Sequence, residues 1–197
     1  IKTVAYPVQP SFVTQGGTNK AFMRFMISNK SGAGAVATVY SIKARRLGTS
    51  SDVDIARVRL YRDDGAGNND VFNPASDALV ATAEIIAGYV LFSGLGESLA
   101  ANGNQDYFLS YDLYSAATTN TTVGIAVESN THVGSSATNA ILVGSNRSGL
   151  ATIRGVSGTP VKLFFWATNI APSTVLTPSS NNGFIRLRFT ASNGLVK

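Results

Sequence analysis

Hydrophobic and polar residues alternate with a period of two along most of this chain. That is the pattern of strands with one face buried. In AFMRFMIS (21–28), Met23, Phe25 and Ile27 share the cleaner core face, and Phe22, Arg24, Met26 and Ser28 take the other. AVATVYSIKARRL (35–47) sets Val39, Ser41 and Lys43 against Tyr40, Ile42 and Ala44, and DIARVRLYRD (54–63) sets Ile55, Arg57, Arg59 and Tyr61 against Ala56, Val58 and Leu60. Six further segments read the same way: GYVLFSGL (88–95), DYFLSYDLY (106–114), TTVGIAVES (121–129), ATIRGV (151–156), PVKLFFWAT (160–168) and GFIRLRFTAS (183–192). Turn chemistry separates them, as at Gly16-Gly17 and Gly65-Ala66-Gly67-Asn68. The nearest helical candidate, ASDALVATAEII (75–86), has a β-branched end that suits a strand better. The expected fold is all-β: an antiparallel, Ig-like or jelly-roll-like sandwich of about nine or more strands.

The chain also resembles itself. Shifted by 162 positions, residues 5–32 lie over 167–194 without a gap, and eight of 28 positions are identical. These are Ala5/Ala167, Pro10/Pro172, Ser11/Ser173, Val13/Val175, Asn19/Asn181, Phe22/Phe184, Arg24/Arg186 and Gly32/Gly194. The expected division is a sandwich over 1–160 and terminal strands over 161–197. A two-stranded ribbon is marginal alone. The terminal strands therefore belong to a next repeat, pair with the body of the first unit, or are donated to a neighbouring unit. Pseudo-symmetry within one sandwich is a further option. Ile1 is not an initiator Met, so the chain is expected to be processed or a fragment.

Composition narrows the function. Only 14% of residues are charged and the net charge is +5, so surface polarity falls to Ser, Thr, Asn and Gly, a profile of secreted β-proteins. The basic residues Lys43, Arg45, Arg46, Arg57, Arg59 and Arg62 are followed at once by acids, which argues against a nucleic-acid face. There is no cysteine, which excludes disulfides, thiolate metal sites and a cysteine nucleophile. No apolar run approaches the roughly 20 residues of a membrane span.

The densest acidic stretch is RLYRDDGAGNNDVFNPASD (59–77). Calcium takes six to eight oxygen ligands, and Asp63, Asp64, Asn68, Asp70 and Asp77 are the candidate side-chain donors, with Asp52 and Asp54 secondary. The stretch has no Glu and its Gly falls too early for an EF-hand. A structural calcium site is expected here, the alternative being an exposed loop rich in Asx turns.

The segment from 58 to 113 resembles bacterial cell-surface Ig-like repeats of the SdrD B-type and collagen-adhesin B-type kind. The residues that carry the resemblance are Val58, Leu60, Tyr61, Asp63, Asp77, Leu79, Val80, Thr82, Gly88, Tyr89, Phe92, Leu95 and Tyr107. The resemblance implies an extracellular β-sandwich, calcium in the loop and a stalk, fibre or adhesin setting. The chain departs from the pattern in having Gly67-Asn68-Asn69-Asp70 in the loop and a long GLGESLAANGNQDYF segment.

Catalytic patterns are absent from the sequence. His132 is the single histidine, so there is no His-rich zinc site. Glu84, Glu97 and Glu128 are isolated from one another, and no nucleophile elbow stands out. Aromatic residues on the strands, with Trp166, are a possible sugar-stacking platform, although core packing is the commoner fate. The expectation is a non-enzymatic structural subunit or repeat of an extracellular filament, surface layer or adhesin stalk at the cell surface. It would self-associate with identical subunits or adjacent repeats through β-strand contacts. The alternative is a carbohydrate-binding adhesive module that recognises a surface glycan.

Overall fold

The computed structural model describes residues 2–30, 34–64, 70–137, 141–143, 146–156, 162–169 and 185–192. The chain forms two compact units, Ile1–Val156 and Ser157–Lys197. Strands are β1 (Lys2–Pro7), β2 (Phe12–Thr14), β3 (Lys20–Ser28), β4 (Ala37–Leu47), β5 (Ile55–Arg62), β6 (Ala78–Ala83) and β7 (Ile85–Ile86). They continue as β8 (Tyr89–Leu99), β9 (Asn104–Leu113), β10 (Thr122–Ala126), β11 (Val133–Ser135), β12 (Ile141–Val143), β13 (Ala151–Arg154), β14 (Lys162–Asn169) and β15 (Ile185–Ser192). Short 3-10 turns at Asp52–Asp54 and Asn130–His132 are the only helical elements among the described residues.

The first unit is a two-sheet sandwich. One sheet runs β12-β1-β3-β9-β5-β6, and the other runs β2-β13-β10-β4-β8-β7 with β11 also on β4. Pairing is antiparallel except for two parallel pairs at the sheet margins, β1 with β12 and β2 with β13. The alternation seen in sequence places the core between the sheets. Met23, Phe25 and Ile27 of β3 are fully buried, as are Val39, Ile42 and Ala44 of β4. Three departures come from β-bulges. A register shift between Ala21 and Met23 turns both Phe22 and Met23 inward. Shifts between Val39 and Ser41 and between Ile55 and Arg57 bring Val39 to the core side of Ile42 and Ile55 to the core side of Val58, whereas Tyr61 keeps the outer side with Arg59 and lies 3% exposed, outside the main core.

Strands β3 and β9 are the spine of the first sheet. Phe22 packs on Tyr111 with ring centroids 4.8 Å apart, and Phe25 stacks on Tyr107 at 5.6 Å. The Tyr111 hydroxyl donates to the Gly124 carbonyl of β10 at 2.9 Å, which ties the two sheets together through the core. Gly124 has no room for a side chain there: a Cβ would lie 2.6 Å from the Gly149 carbonyl oxygen. Asn29, fully buried after β3, donates its amide to the carbonyls of Ala35, Leu99 and Ala100.

In the second unit, β14 and β15 form an antiparallel two-stranded sheet. Their register repeats that of β1 and β3. The pairs Thr3↔Ile27, Val4↔Met26, Ala5↔Phe25, Tyr6↔Arg24 and Pro7↔Met23 become Phe165↔Phe189, Trp166↔Arg188, Ala167↔Leu187, Thr168↔Arg186 and Asn169↔Ile185. Each is the first pair shifted by 162 residues. The sequence repeat is thus also a repeat of strand pairing.

Two substitutions test this packing. Asn29→Ala leaves three carbonyls without their donor and is expected to cost about 1–3 kcal/mol, read as a lowered melting temperature. Ala87 and Gly88 link β7 to β8 with φ of 52° and 80°, a backbone that suits Asn or Gly at both positions. Ala87→Asn is expected to raise stability by about 1 kcal/mol, by the same measurement.

Candidate functional site

The acidic stretch leaves β5 and returns as β6. Its anchor is Phe72, whose ring sits 5.1 Å from Tyr61, edge-on, and 5.4 Å from Phe108. Neither Tyr61 nor Phe108 belongs to the core cluster between the sheets. The three rings therefore form a satellite cluster on the outer side of β5 and β9, with Phe72 as the plug. Tyr61 is buried because this loop folds over it.

Arginines and backbone N–H groups occupy the described carboxylates. Arg24 of β3 ion-pairs with Asp70 and with Asp106 of β9, the latter at 3.2 Å. Arg62 pairs with Asp64 at 2.8 Å and with Glu97 at 3.2 Å. Asp63 accepts from the Asp70 N–H at 3.0 Å, and Asp77 accepts from the Asn73 N–H at 2.7 Å. Asn73 in turn accepts from the Ala75 N–H at 3.1 Å, an Asx turn. Burial pushes the Asp77 carboxyl up, and the Asp63 and Asp64 charges add to that against the Asn73 hydrogen bond. Asp106 is raised first by burial and then by Asp70 and Asp63, with Arg24 opposing.

The five calcium candidates are thus distributed unevenly. Asp63, Asp64, Asp70 and Asp77 share one loop, but Asp64 and Asp70 are held by arginines. Asn68 lies outside the described residues. Among the described residues, no three His, Cys, Asp or Glu side chains come together as a metal-binding group. Asp52 and Asp54 belong elsewhere: β5 separates them from Asp63 by about 27 Å of strand. Asp52 accepts from Arg46 and from the Gly88 N–H, each at 2.8 Å. Asp54 accepts from the N–H groups of Ser51 and Thr118, each at 2.7 Å.

The other candidates fall into structural places. His132 is half-buried, edge-on to Tyr89 at 6.2 Å, with Nδ1 accepting from the Glu128 N–H at 3.3 Å. Lys43 covers the Tyr89 ring at 4.3 Å, and Arg154 covers Phe12 at the same distance. Tyr107 and Tyr111 are fully buried. Tyr40 and Tyr114, each 50% exposed, are the open tyrosines among the described residues; Trp166 stands in β14. Glu97 accepts from the Tyr107 hydroxyl at 3.0 Å and so serves structure.

The sequence pattern did not single out a basic depression of 670 Å³ lined by Arg45, Arg46, Leu47, Gly48, Arg147, Ser148 and Leu150. Glu128 holds Arg45 and Arg147 in place, each at 2.9 Å. The three residues come from separate parts of the sequence, so only the fold brings them together. Among the described residues, no helix is long and apolar enough to cross a membrane.

Phe72→Ala is expected to cost about 3 kcal/mol or somewhat less, since the plug is part-exposed, and to speed amide exchange across 70–77 while β3 and β9 stay protected. The pH response separates the two ends of β5. For Asp54, burial is outweighed by the Thr118 and Ser51 N–H groups and by Arg46, which hold the carboxyl below its usual value. Its contribution is therefore complete above the unfolded value of about 3.9 and is lost as pH falls below it. Asp77 has the opposite sign: its ionisation destabilises the fold as pH rises through and above that range. Melting curves from pH 3 to 7 are expected to show a flatter acid limb in Asp54→Asn. They are expected to show a smaller decline towards neutral pH in Asp77→Asn.

No protein-family profile matches the chain, and no curated protein does. Among solved structures, the chain is similar to the Hadza microbial sialidase Hz136, with a TM-score of 0.54 and 12% sequence identity. The match covers 78% of this chain and 31% of that one, so the chain spans about a third of that structure. At this identity the likeness shows the fold, a β-sandwich.

Proposed function

We propose that the chain is a non-catalytic repeat unit of an extracellular filament, surface layer or adhesin stalk. The single observation that carries this reading is the shared register of β1–β3 and β14–β15 at a shift of 162 residues. A sandwich followed by the opening hairpin of the same sandwich is the arrangement of a tandem array, in which each unit is one link. The resemblance to bacterial surface Ig-like repeats at 58–113 supports the same setting.

Calcium belongs to this proposal as a ligand of the acidic loop, with Asp63, Asp64, Asn68, Asp70 and Asp77 as its candidate donors. A ligand that binds only the native state stabilises it by about 2.7 kcal/mol at a hundredfold excess over Kd. The melting temperature is therefore expected to fall on adding EDTA and to recover with calcium. An unchanged melting curve removes calcium from the proposal and leaves the repeat unit standing. The assembly itself is tested by electron microscopy of the purified protein from its source. Linear or lattice assemblies are expected; dispersed single particles would count against it.

A second reading, a carbohydrate-binding adhesive module, draws on the basic depression at Arg45 and Arg147 and on a structural neighbour that is titled a sialidase. Arginine pairs carboxylates in bidentate geometry, so acidic glycans are the ligands to try. Under this reading a glycan array shows binding to carboxylated sugars that Arg147→Ala abolishes. A blank array rejects it.

A further inference from the structure

We infer that the outer edge of β15 is a docking edge for a β9-type strand, Asn104–Leu113 in sequence, from a following repeat in which β14 and β15 take the places of β1 and β3. This deepens the repeat-unit reading and rests on it. In the first unit, the outer edge of β3 is held by β9 along its whole length, from Lys20↔Tyr111 to Ser28↔Asn104. Strand β15 stands in the register of β3 relative to β14, and among the described residues it pairs only with β14.

The residues retained between the two copies point to the same occupant. Asn19, Phe22 and Arg24 are identical to Asn181, Phe184 and Arg186. In the first copy each of the three meets β9. The Asn19 N–H donates to the Asp112 carboxylate at 2.8 Å. Phe22 packs on Tyr111. Arg24 pairs with Asp106. Asn19 also has a φ of 51°, a left-handed backbone in which Asn is favoured over most residues. Two of these pairings need an aspartate on the incoming strand at fixed positions, two residues from its start and one from its end. An arbitrary edge strand lacks them, whereas a copy of β9 supplies both.

The copies also agree where the first unit is buried. Val13, Phe22, Met23, Phe25 and Ile27 are core residues, and their counterparts are Val175, Phe184, Ile185, Leu187 and Phe189. Every one is apolar. One difference is Asn29, whose counterpart is Ala191.

The shift aligns 163–197 with 1–35 without insertion, which gives a direct test in the full-length chain. Residues 1–35 are replaced by a second copy of 163–197, with a Gly/Ser segment of equal length as the control. The β9 amides, 104–113, are expected to exchange at least about a hundredfold more slowly in the swapped chain than in the control. Equal exchange counts against the inference.

A second protein covers the case in which the swapped core folds badly. The full chain is extended after Lys197 by its own residues 36–156, so that β15 is offered a β9 of its own. Amides of 185–192 are expected to become protected relative to the unextended chain. The native chain has no cysteine, so introduced pairs report register cleanly. Thr190→Cys with Asn104→Cys of the appended copy, and Phe189→Cys with Gln105→Cys, represent adjacent rungs of the β3–β9 register. One of the two is expected to oxidise to a disulfide, and pairs displaced by two residues are not. If neither protein protects its strand, or if the displaced pairs cross-link equally well, the inference is overturned. That result would still leave the filament proposal to microscopy.

Discussion

The fold depends on the pairing of β3 with β9. These strands are central in their sheet, and they carry the stacked rings Phe22, Tyr111, Phe25 and Tyr107. A buried tyrosine hydroxyl needs a partner, and the Tyr111 hydroxyl finds one across the core at Gly124. That single demand fixes how the second sheet sits on the first. Gly124 lacks a side chain for the same reason, because the chain segment at Gly149 and Ser148 closes against it. Burial also pushes the Tyr111 phenol above its ordinary value, which favours the protonated form that donates this bond.

The outer side of β3 and β9 depends on the same pairing. Asp106 and Asp112 stand on β9 and receive Arg24, Arg59 and the Asn19 N–H. The Tyr61 hydroxyl then donates to the side-chain Oδ1 of Asn19 at 2.9 Å. Charges so placed add little where they are exposed, yet Asp112 is 4% exposed and has no substitute for its partners. The acidic loop rests on this surface through Phe72, with Arg24 as its link to the sheet. The loop is therefore fastened by an aromatic plug and an arginine, whichever ion it attracts.

The long strands were legible because period-two burial left a plain trace in their sequences. All nine segments named from alternation contain a strand. The three-residue strands β2, β11 and β12 were illegible because so few residues show no period. The bulges beside Phe22, Val39 and Ile55 were also hidden, since an extra residue is only visible against its partner strand. At the candidate site, sequence proximity grouped the aspartates of the loop but could not assign their partners. Arg24 lies 82 residues from Asp106, and Arg45, Glu128 and Arg147 are brought together by three different strands or loops. Asp52 and Asp54 misled for the converse reason: closeness along an extended strand is distance in space. The self-similarity at 162 residues was legible in sequence, and its meaning for strand pairing needed the two registers side by side.

The 82 residues between Arg24 and Asp106 also set an order of events during synthesis. At about 5–20 residues per second, the edge of β3 waits roughly 4–16 s before β9 leaves the ribosome. In an array of such units, each newly made hairpin passes through the same interval beside a finished sandwich. The neighbour's β9 is by then enclosed between β3 and β5, so it offers no competing edge. If the proposed array exists, translation from one end would guard each unit against pairing with the previous one, a protection that refolding of the whole array from denaturant would lack.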